Sequence, residues 1–81
     1  MKPHDGAVPL HVTYDPEADA AYIHFQAEIA PGAAVRTVCV DEQEIDGMVN
    51  LDLDKTGRIL GVEVLEAARL LPRDLLRHFE I

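Results

Sequence analysis

The chain lacks several features that would identify a class of protein at once. It has 81 residues, no tryptophan, four aromatic residues and a single cysteine, Cys39. One cysteine excludes a disulfide within the chain and fits a reducing compartment. No apolar run approaches the roughly 18 residues of a membrane span, and no apolar segment typical of a secretion signal follows Lys2. We therefore expect a soluble, cytoplasmic protein.

Positive charge is also scarce. Seven lysines and arginines stand against fifteen aspartates and glutamates, which gives a formal net charge of −8. Such a chain repels phosphate backbones and anionic lipid, so we expect no direct binding to nucleic acid or to a membrane. A basic protein is the partner class that this charge favours.

The length predicts one domain over residues 1–81, with its core over 10–79 and a flexible start at residues 1–9. A single core of this size rarely leaves more than about 3–5 kcal/mol of stability after conformational entropy is counted. Because disulfides are excluded, additional stability would have to come from a bound metal or from association with another chain. We expect association, with a homodimer as the simplest form.

Alternating apolar and polar residues predict most of the secondary structure. The predicted strands are 10–14, 20–25, 35–40, 48–54 and 59–65. The last of these is apolar on both faces, which places it in the interior of the sheet. The segment 26–34, with Pro31 and Gly32, is predicted to be a loop, and 41–47 an acidic connector.

From Glu66 onward the hydrophobic spacing changes to threes and fours, which predicts a helix. Pro72 interrupts it, because proline lacks the backbone donor and clashes with the preceding turn. We predict a short helical turn to Leu71 and a second helix beginning at Pro72, where proline suits the first position. The predicted fold class is α+β: an antiparallel β-meander of about five strands with this C-terminal helical segment packed on one face.

The stretch 52–63, DLDKTGRILGVE, has the residue spacing of an EF-hand calcium loop. An EF-hand loop lies between helices, however, whereas both flanks here alternate with a period of two. We therefore interpret residues 55–57 as the tip of a hairpin, with Gly57 supplying a positive φ. In that hairpin Glu63 lies too far along its strand to meet Asp52 at one ion.

Two rules disagree about the register of this hairpin. The turn would pair Asp54 with Arg58, whereas the hydrophobic pattern places Leu53 opposite Leu60 and Leu51 opposite Val62. Burial of several large apolar side chains outweighs a turn preference of a few tenths of a kcal/mol. We therefore predict the register that the hydrophobic pattern favours.

Three stretches carry a resemblance to a known family: VTYDPEADAAYIHF, TVCVDE and VNLDLDKTGRILGVEVLEAARLLP. Over about residues 11–76 the chain resembles the bacterial and archaeal small proteins named domain of unknown function 2283. The resemblance implies a β-meander followed by helix, no established activity and, for some members, a gene neighbourhood suggestive of toxin–antitoxin pairs. It supplies no catalytic motif. The residues before the first strand and the insertion 43–46 depart from the family pattern.

The first hairpin brings two histidines together. If one apolar face is shared by both strands, Val12 lies opposite Ile23, and His11 lies opposite His24 on the other side. Two imidazoles on neighbouring strands can share a zinc or nickel ion if a third ligand arrives. The sequence indicates no third ligand, and His4, in the flexible start, is not positioned by any predicted element. The simpler interpretation is that His11 and His24 are solvated polar residues.

The remaining reactive side chains favour structural roles. Cys39 lacks a CxxC partner and is predicted to be a small buried apolar residue. The carboxylates of Asp15, Glu17 and Asp19 lie in a predicted turn, where aspartate has a conformational role. The acidic connector is predicted to be solvated or to meet a basic partner; its acids are Asp41, Glu42, Glu44 and Asp46.

The arginines of the C-terminal segment recur every four residues, at Arg69, Arg73 and Arg77. They form either a solvated helix face or the rim of a docking surface. The anchors of that surface would be Leu75, Leu76 and Phe79.

The sequence thus favours a non-enzymatic interaction module, homodimeric and able to act as an antitoxin-like partner of a small basic protein. No cofactor is predicted. The alternative is a small metal-binding protein or metal-dependent enzyme using His11 and His24, with an acid from a neighbouring strand. Ligand storage or sensing between subunits is a third possibility that no residue pattern supports.

Overall fold

The chain folds into five antiparallel strands followed by short helical pieces. A computed structural model describes residues 8–41 and 43–80. The elements are β1 (His11–Asp15), β2 (Ala20–His24), β3 (Arg36–Cys39), β4 (Met48–Leu53), β5 (Ile59–Leu65), α1 (Ala67–Leu70), α2 (Arg73–Leu76) and a final 3-10 turn (Arg77–Phe79). The predicted flexibility of the first residues falls mostly outside this description, as do His4 and Glu42.

The order of the strands in the sheet is β1-β2-β5-β4-β3. The predicted meander is therefore wrong, because β2 pairs with β5 and not with β3. The segment 26–34 carries the chain past the end of the β4–β5 hairpin, a crossing of three strand spacings, or about 14 Å. Nine extended residues span about 30 Å, so the connection is easily long enough. The central place predicted for β5 is confirmed.

The first hairpin has the predicted register. His11 lies opposite His24 and Val12 opposite Ile23. The turn between the strands contains Asp19 at φ 51°, a left-handed conformation that aspartate tolerates better than most residues. The same residue ties the hairpin to α1, as described below.

The β4–β5 hairpin satisfies both of the rules that conflicted in the sequence. Leu51 lies opposite Val62, as the hydrophobic pattern requires, while the Asp54 amide donates to the carbonyl of Arg58 at 2.9 Å, as the turn requires. An irregularity between Asp52 and Leu53 absorbs the difference of one residue. Leu53 therefore pairs with Ile59, and the predicted pairing of Leu53 with Leu60 is wrong.

The buried core is small and lies where α1 meets the sheet. Ala21, Val64 and Ala67 form its buried cluster, and Leu70 and Leu71 pack against it. Among the described residues, the buried apolar side chains outside this cluster are Leu53, Leu60 and Leu76. For a chain with 48% hydrophobic residues, this leaves much apolar surface uncovered among the described residues.

The break at Pro72 is confirmed. The first helical piece ends at Leu70, and Pro72 stands immediately before α2 in an extended conformation. Glu66 enters α1 at φ 55°, so the chain reverses direction sharply between β5 and the helical segment. No helix among residues 8–41 and 43–80 is long and apolar enough to cross a membrane.

Candidate functional site on the two faces of the sheet

The two faces of the sheet differ in chemistry. Directly opposite residues of antiparallel strands share a face, so the register assigns each side chain to one side. One side, called here the polar face, carries His11, Thr13, Tyr22, His24, Thr37, Cys39, Asn50, Asp52 and Glu63. The same side also carries Asp15 and three apolar residues, Ala20, Met48 and Leu65. The other side carries most of the apolar residues of the strands, together with Tyr14 and Arg36.

The centre of the polar face is a hydrogen-bonded network around Asp52. The Tyr22 hydroxyl donates to one carboxylate oxygen at 2.8 Å, and the Thr37 hydroxyl donates to the other at 2.8 Å. These three side chains come from β2, β4 and β3, so the network spans β5 between them. It therefore fixes the relative positions of four strands.

Gly61 makes room for this network. A Cβ atom at this residue would lie 2.3 Å from the Tyr22 hydroxyl oxygen. The Tyr22 ring therefore passes directly over the β5 backbone to reach Asp52. A glycine inside a strand indicates such a close approach, and this was the signal by which the sequence could have revealed the network.

The Tyr22 hydroxyl is a hydrogen-bond donor at neutral pH. Partial burial, the bond to Asp52 and the negative charges of Asp52 and Glu63 raise the pKa of Tyr22 to about 12. A phenol with such a pKa is neither a general base nor a ready nucleophile near pH 7. The geometry thus supports a structural role for this network.

The two histidines are placed as predicted. Their ring centroids lie 5.0 Å apart, and the Tyr22 ring meets His24 edge to face at 4.7 Å. Thr13 is within 3.4 Å of His24 Nε2. Within residues 8–41 and 43–80, no group of three or more histidine, cysteine or acidic side chains is arranged to hold a metal ion.

The acids of the first turn hold the backbone. Asp15 accepts a hydrogen bond from the Glu17 amide at 3.0 Å. One carboxylate oxygen of Asp19 accepts both the Tyr14 hydroxyl at 2.8 Å and the Ala68 amide at 3.0 Å. The bond to Asp19 also raises the pKa of Tyr14. Asp19 thereby joins the β1–β2 turn to the start of α1.

The candidate calcium loop is a hairpin turn. The Asp54 carboxylate accepts hydrogen bonds from the Thr56 hydroxyl, the Thr56 amide and the Arg58 amide, at 2.6, 2.8 and 3.0 Å. These bonds lower the pKa of Asp54, the Thr56 hydroxyl most of all. Gly57 has φ 88°, as predicted. Strands flank the turn on both sides, so the EF-hand framework is absent here.

Cys39 is exposed, and the prediction that it is buried is wrong. The strand β3 lies at the edge of the sheet, so Val38 and Cys39 have a neighbouring strand on one side only. All four of its residues are exposed. The runs of β-branched residues predicted the strand correctly but did not reveal its place at the edge.

The predicted docking residues of the C-terminal segment have varied surroundings. Leu76 is buried, and the Phe79 ring stacks on Tyr14 with centroids 5.4 Å apart. These two side chains therefore stabilise the chain itself.

The arginines of this segment contact neighbouring acids. Arg69 pairs with Asp46 and Glu66, and Arg77 with Asp74. Arg73 and Arg77 line a depression of about 420 Å³ with Ala68 and Leu76. A docking role for Arg69, Arg73, Leu75 and Arg77 remains a prediction.

The apolar side of the sheet carries a row that the sequence did not reveal as a unit. Five side chains, one from each strand, lie directly opposite one another: Val12, Ile23, Val62, Leu51 and Val38, called here the apolar row. None of the five is buried. Finding the row required the strand order, because β5 and β4 separate β2 from β3.

A comparison with known families gives one match. The family model described as "Protein of unknown function (DUF2283)" matches residues 11–67, which run from the first residue of β1 to the first residue of α1. No curated protein and no solved structure matches the chain. On the strength of the family match, which covers more than half of its length, the chain belongs to the DUF2283 family.

Proposed function

We propose that the chain is a non-enzymatic interaction module. It pairs with a second copy through the apolar row and offers its acidic surface to a small basic protein, in the manner of an antitoxin. In this proposal the C-terminal helical segment packs on the same side of the sheet as the apolar row. It roofs the adjoining part of that face, around Ala21 and Val64.

The observation that carries the proposal is the apolar row, which the chain covers only in part. An antiparallel sheet tolerates water on one face when that face is polar, and here the polar face meets this need. On the opposite face the row of apolar side chains crosses all five strands and is only partly covered, because Val12, Ile23, Leu51 and Val62 are half-buried and Val38 is 38% exposed. Exposed large residues extend the apolar surface on the same part of the molecule, Leu10 at 49% and Phe25 at 44%.

The free energy available from this surface is of the size that pairing needs. Full burial of a valine or leucine side chain stabilises by about 1.5–3 kcal/mol. About a third of each side chain remains to be buried, which for five side chains is about 2.5–5 kcal/mol per copy, and both copies contribute. The cost of association is about 4–15 kcal/mol, so a weak to moderate dimer results.

Charge also favours this face for pairing. Two copies that each carry −8 repel one another, and the acids of the strands, Asp15, Asp52 and Glu63, lie on the polar face. Copies that meet through the apolar row keep these carboxylates on their outer surfaces. Pairing through the polar face would bring like charges together.

A matched pair of substitutions in β1 tests the dimer. Val12→Asp places a charge in the apolar row, whereas Thr13→Asp places the same charge on the polar face of the same strand. Light scattering should give the mass of two chains for the unchanged protein and for Thr13→Asp. Val12→Asp should have the mass of one chain and an unchanged circular dichroism spectrum. A monomer for the unchanged protein would refute the dimer.

The basic partner is supported by the charge of the chain and by the number of exposed acids. Long-range attraction between opposite charges increases association rates and depends on salt. The test is co-purification with the product of the adjacent gene, if that product is basic. Binding that weakens as salt rises supports the proposal, and absence of affinity for the adjacent product counts against it.

The metal-binding alternative rests on the 5.0 Å separation of the His11 and His24 rings. A third ligand would come from an acid of a neighbouring strand or from a second copy. Elemental analysis of protein made without a histidine tag decides the matter. A stoichiometric metal that is lost in His11→Ala would favour this alternative, and its absence would retire it.

A further inference from the structure

The two edges of the sheet are protected to different degrees. The strand β1 is bounded by Pro9 and Pro16, which cannot donate a backbone hydrogen bond, and it contains Asp15. Prolines and charges at an edge discourage pairing with another chain. The strand β3 has one charged residue, as β1 has, but no proline within it or beside its ends, and all its side chains are exposed. It is an open edge.

The backbone groups of this open edge can be assigned. The Val40 amide donates to the carbonyl of Val49 at 2.8 Å, so Val40 belongs to a hydrogen-bonded pair with β4. Inward and outward groups alternate along an antiparallel strand. The N–H groups of Thr37 and Cys39 therefore point away from β4, and an added strand would bond to them.

The charges along this edge are unequal. Arg36 stands at the start of β3, whereas exposed acids follow its end, at Asp41 and Glu44. The carboxylate of Asp41 accepts a hydrogen bond from the Gln43 amide, which keeps it close to the end of the strand. An antiparallel added strand would lay its first residues beside these acids.

We propose that the β3 edge binds an extended segment of the basic partner as a sixth, antiparallel strand, with lysines or arginines at its N-terminal end. Main-chain hydrogen bonds to Thr37 and Cys39 supply affinity, and the cations meet Asp41 and Glu44. This proposal rests on the proposed function, since its ligand is the basic partner. A second copy fits less well, because it supplies one cation, Arg36, against these two acids.

The test uses a synthetic peptide as the probe, three lysines followed by alternating threonine and valine. Two protein variants compare the outward amide: Cys39→Pro removes the N–H, and Cys39→Ala removes the thiol but keeps the N–H. The peptide should bind the unchanged protein and Cys39→Ala equally, and Cys39→Pro at least about tenfold more weakly. A control peptide whose alternate backbone amides are methylated cannot donate these hydrogen bonds, so it should bind the unchanged protein as weakly as the first peptide binds Cys39→Pro. This control tests the proposal even if Cys39→Pro fails to fold.

Equal binding of the unmethylated and methylated peptides would reduce the interaction to charge alone and overturn the proposal. Absence of peptide binding would also overturn the proposal. Loss of the dimer in Cys39→Pro would overturn it as well, because it would assign the β3 edge to a second copy. The same titration on Val12→Asp separates this proposal from the dimer. Peptide binding by a monomeric Val12→Asp protein supports the edge site whether or not the apolar row mediates pairing.

Discussion

Replacement of Asp19 should destabilise the chain more than any other change in the exposed turns. Its carboxylate accepts bonds from the Tyr14 hydroxyl and the Ala68 amide, its carbonyl accepts the Ala67 amide at 2.9 Å, and its φ is 51°. In Asp19→Ala the Ala68 amide loses its acceptor, at a cost of about 1 kcal/mol. An alanine in the left-handed conformation costs about 1–2 kcal/mol more.

We therefore expect Asp19→Ala to lower the free energy of unfolding by about 2–3 kcal/mol, before any loss from the Tyr14 bond is added. A core of this size leaves a total of about 3–5 kcal/mol, so the change is a large part of the stability and urea denaturation will show it clearly. Asp19→Asn keeps an acceptor and tolerates the conformation, so it should retain most of the stability. Asp19→Gly should fall between the two, because it restores the backbone freedom alone.

These variants separate the contribution of the backbone conformation at Asp19 to stability from the contribution of its side chain. If Asp19→Ala unfolds within about 0.5 kcal/mol of the unchanged protein, Asp19 does not hold the β1–β2 turn to α1. If Asp19→Asn is as unstable as Asp19→Ala, the acceptor geometry described above is not the source of the stability.

Three further predictions concern the polar face and the hairpin turn. Gly61→Ala should lower the free energy of unfolding by about 1–3 kcal/mol in urea denaturation, because the new Cβ displaces the Tyr22 ring; in a Tyr22→Ala background this loss should largely disappear. The Tyr22 hydroxyl holds its proton more tightly in the folded state, so its contribution to stability is complete below pH 10 and is lost as the pH rises towards its pKa of about 12. Tyrosinate absorbance should show one phenol that titrates late, and Tyr22→Phe should remove that signal. The pKa of Asp54 is lowered in the folded state, so its contribution to stability is present above its ordinary pKa of 3.8 and is lost as the pH falls below that value. In urea denaturation at decreasing pH, Asp54→Asn should therefore lose less stability than the unchanged protein.

The hairpins were predictable because their information is local. A period of two fixes which side chains share a face, and this alone placed His11 opposite His24. The bulge in the β4–β5 hairpin was not predictable from either rule separately. The turn favoured one register and the hydrophobic pattern another, and a strand can satisfy both by inserting one residue.

The order of the strands was not predictable from neighbouring segments. Sequential strands usually pair, which favoured a meander, but the long connection 26–34 allowed β3 to pair with β4 on the far side of β5. The apolar character of both faces of β5 did indicate its central place. The exposure of Cys39 follows from the same error, since a meander gives β3 two neighbours and the observed order gives it one.

The candidate surfaces were predictable where they lie within one hairpin and not predictable where they join distant strands. The histidine pair lies within one hairpin and was found from the sequence. The network of Tyr22, Asp52 and Thr37 joins three strands, and the apolar row joins all five, so both depend on the strand order.

The pairing of two copies through the apolar row is tested most directly by nuclear Overhauser effects between copies. A mixed sample of isotope-labelled and unlabelled chains reports only contacts between different molecules. Pairing through the apolar row should give such contacts among the methyl groups of Val12, Ile23, Leu51 and Val62. Contacts between copies that involve Thr13, Thr37 or Tyr22 instead, or none at all at millimolar concentration, would contradict it.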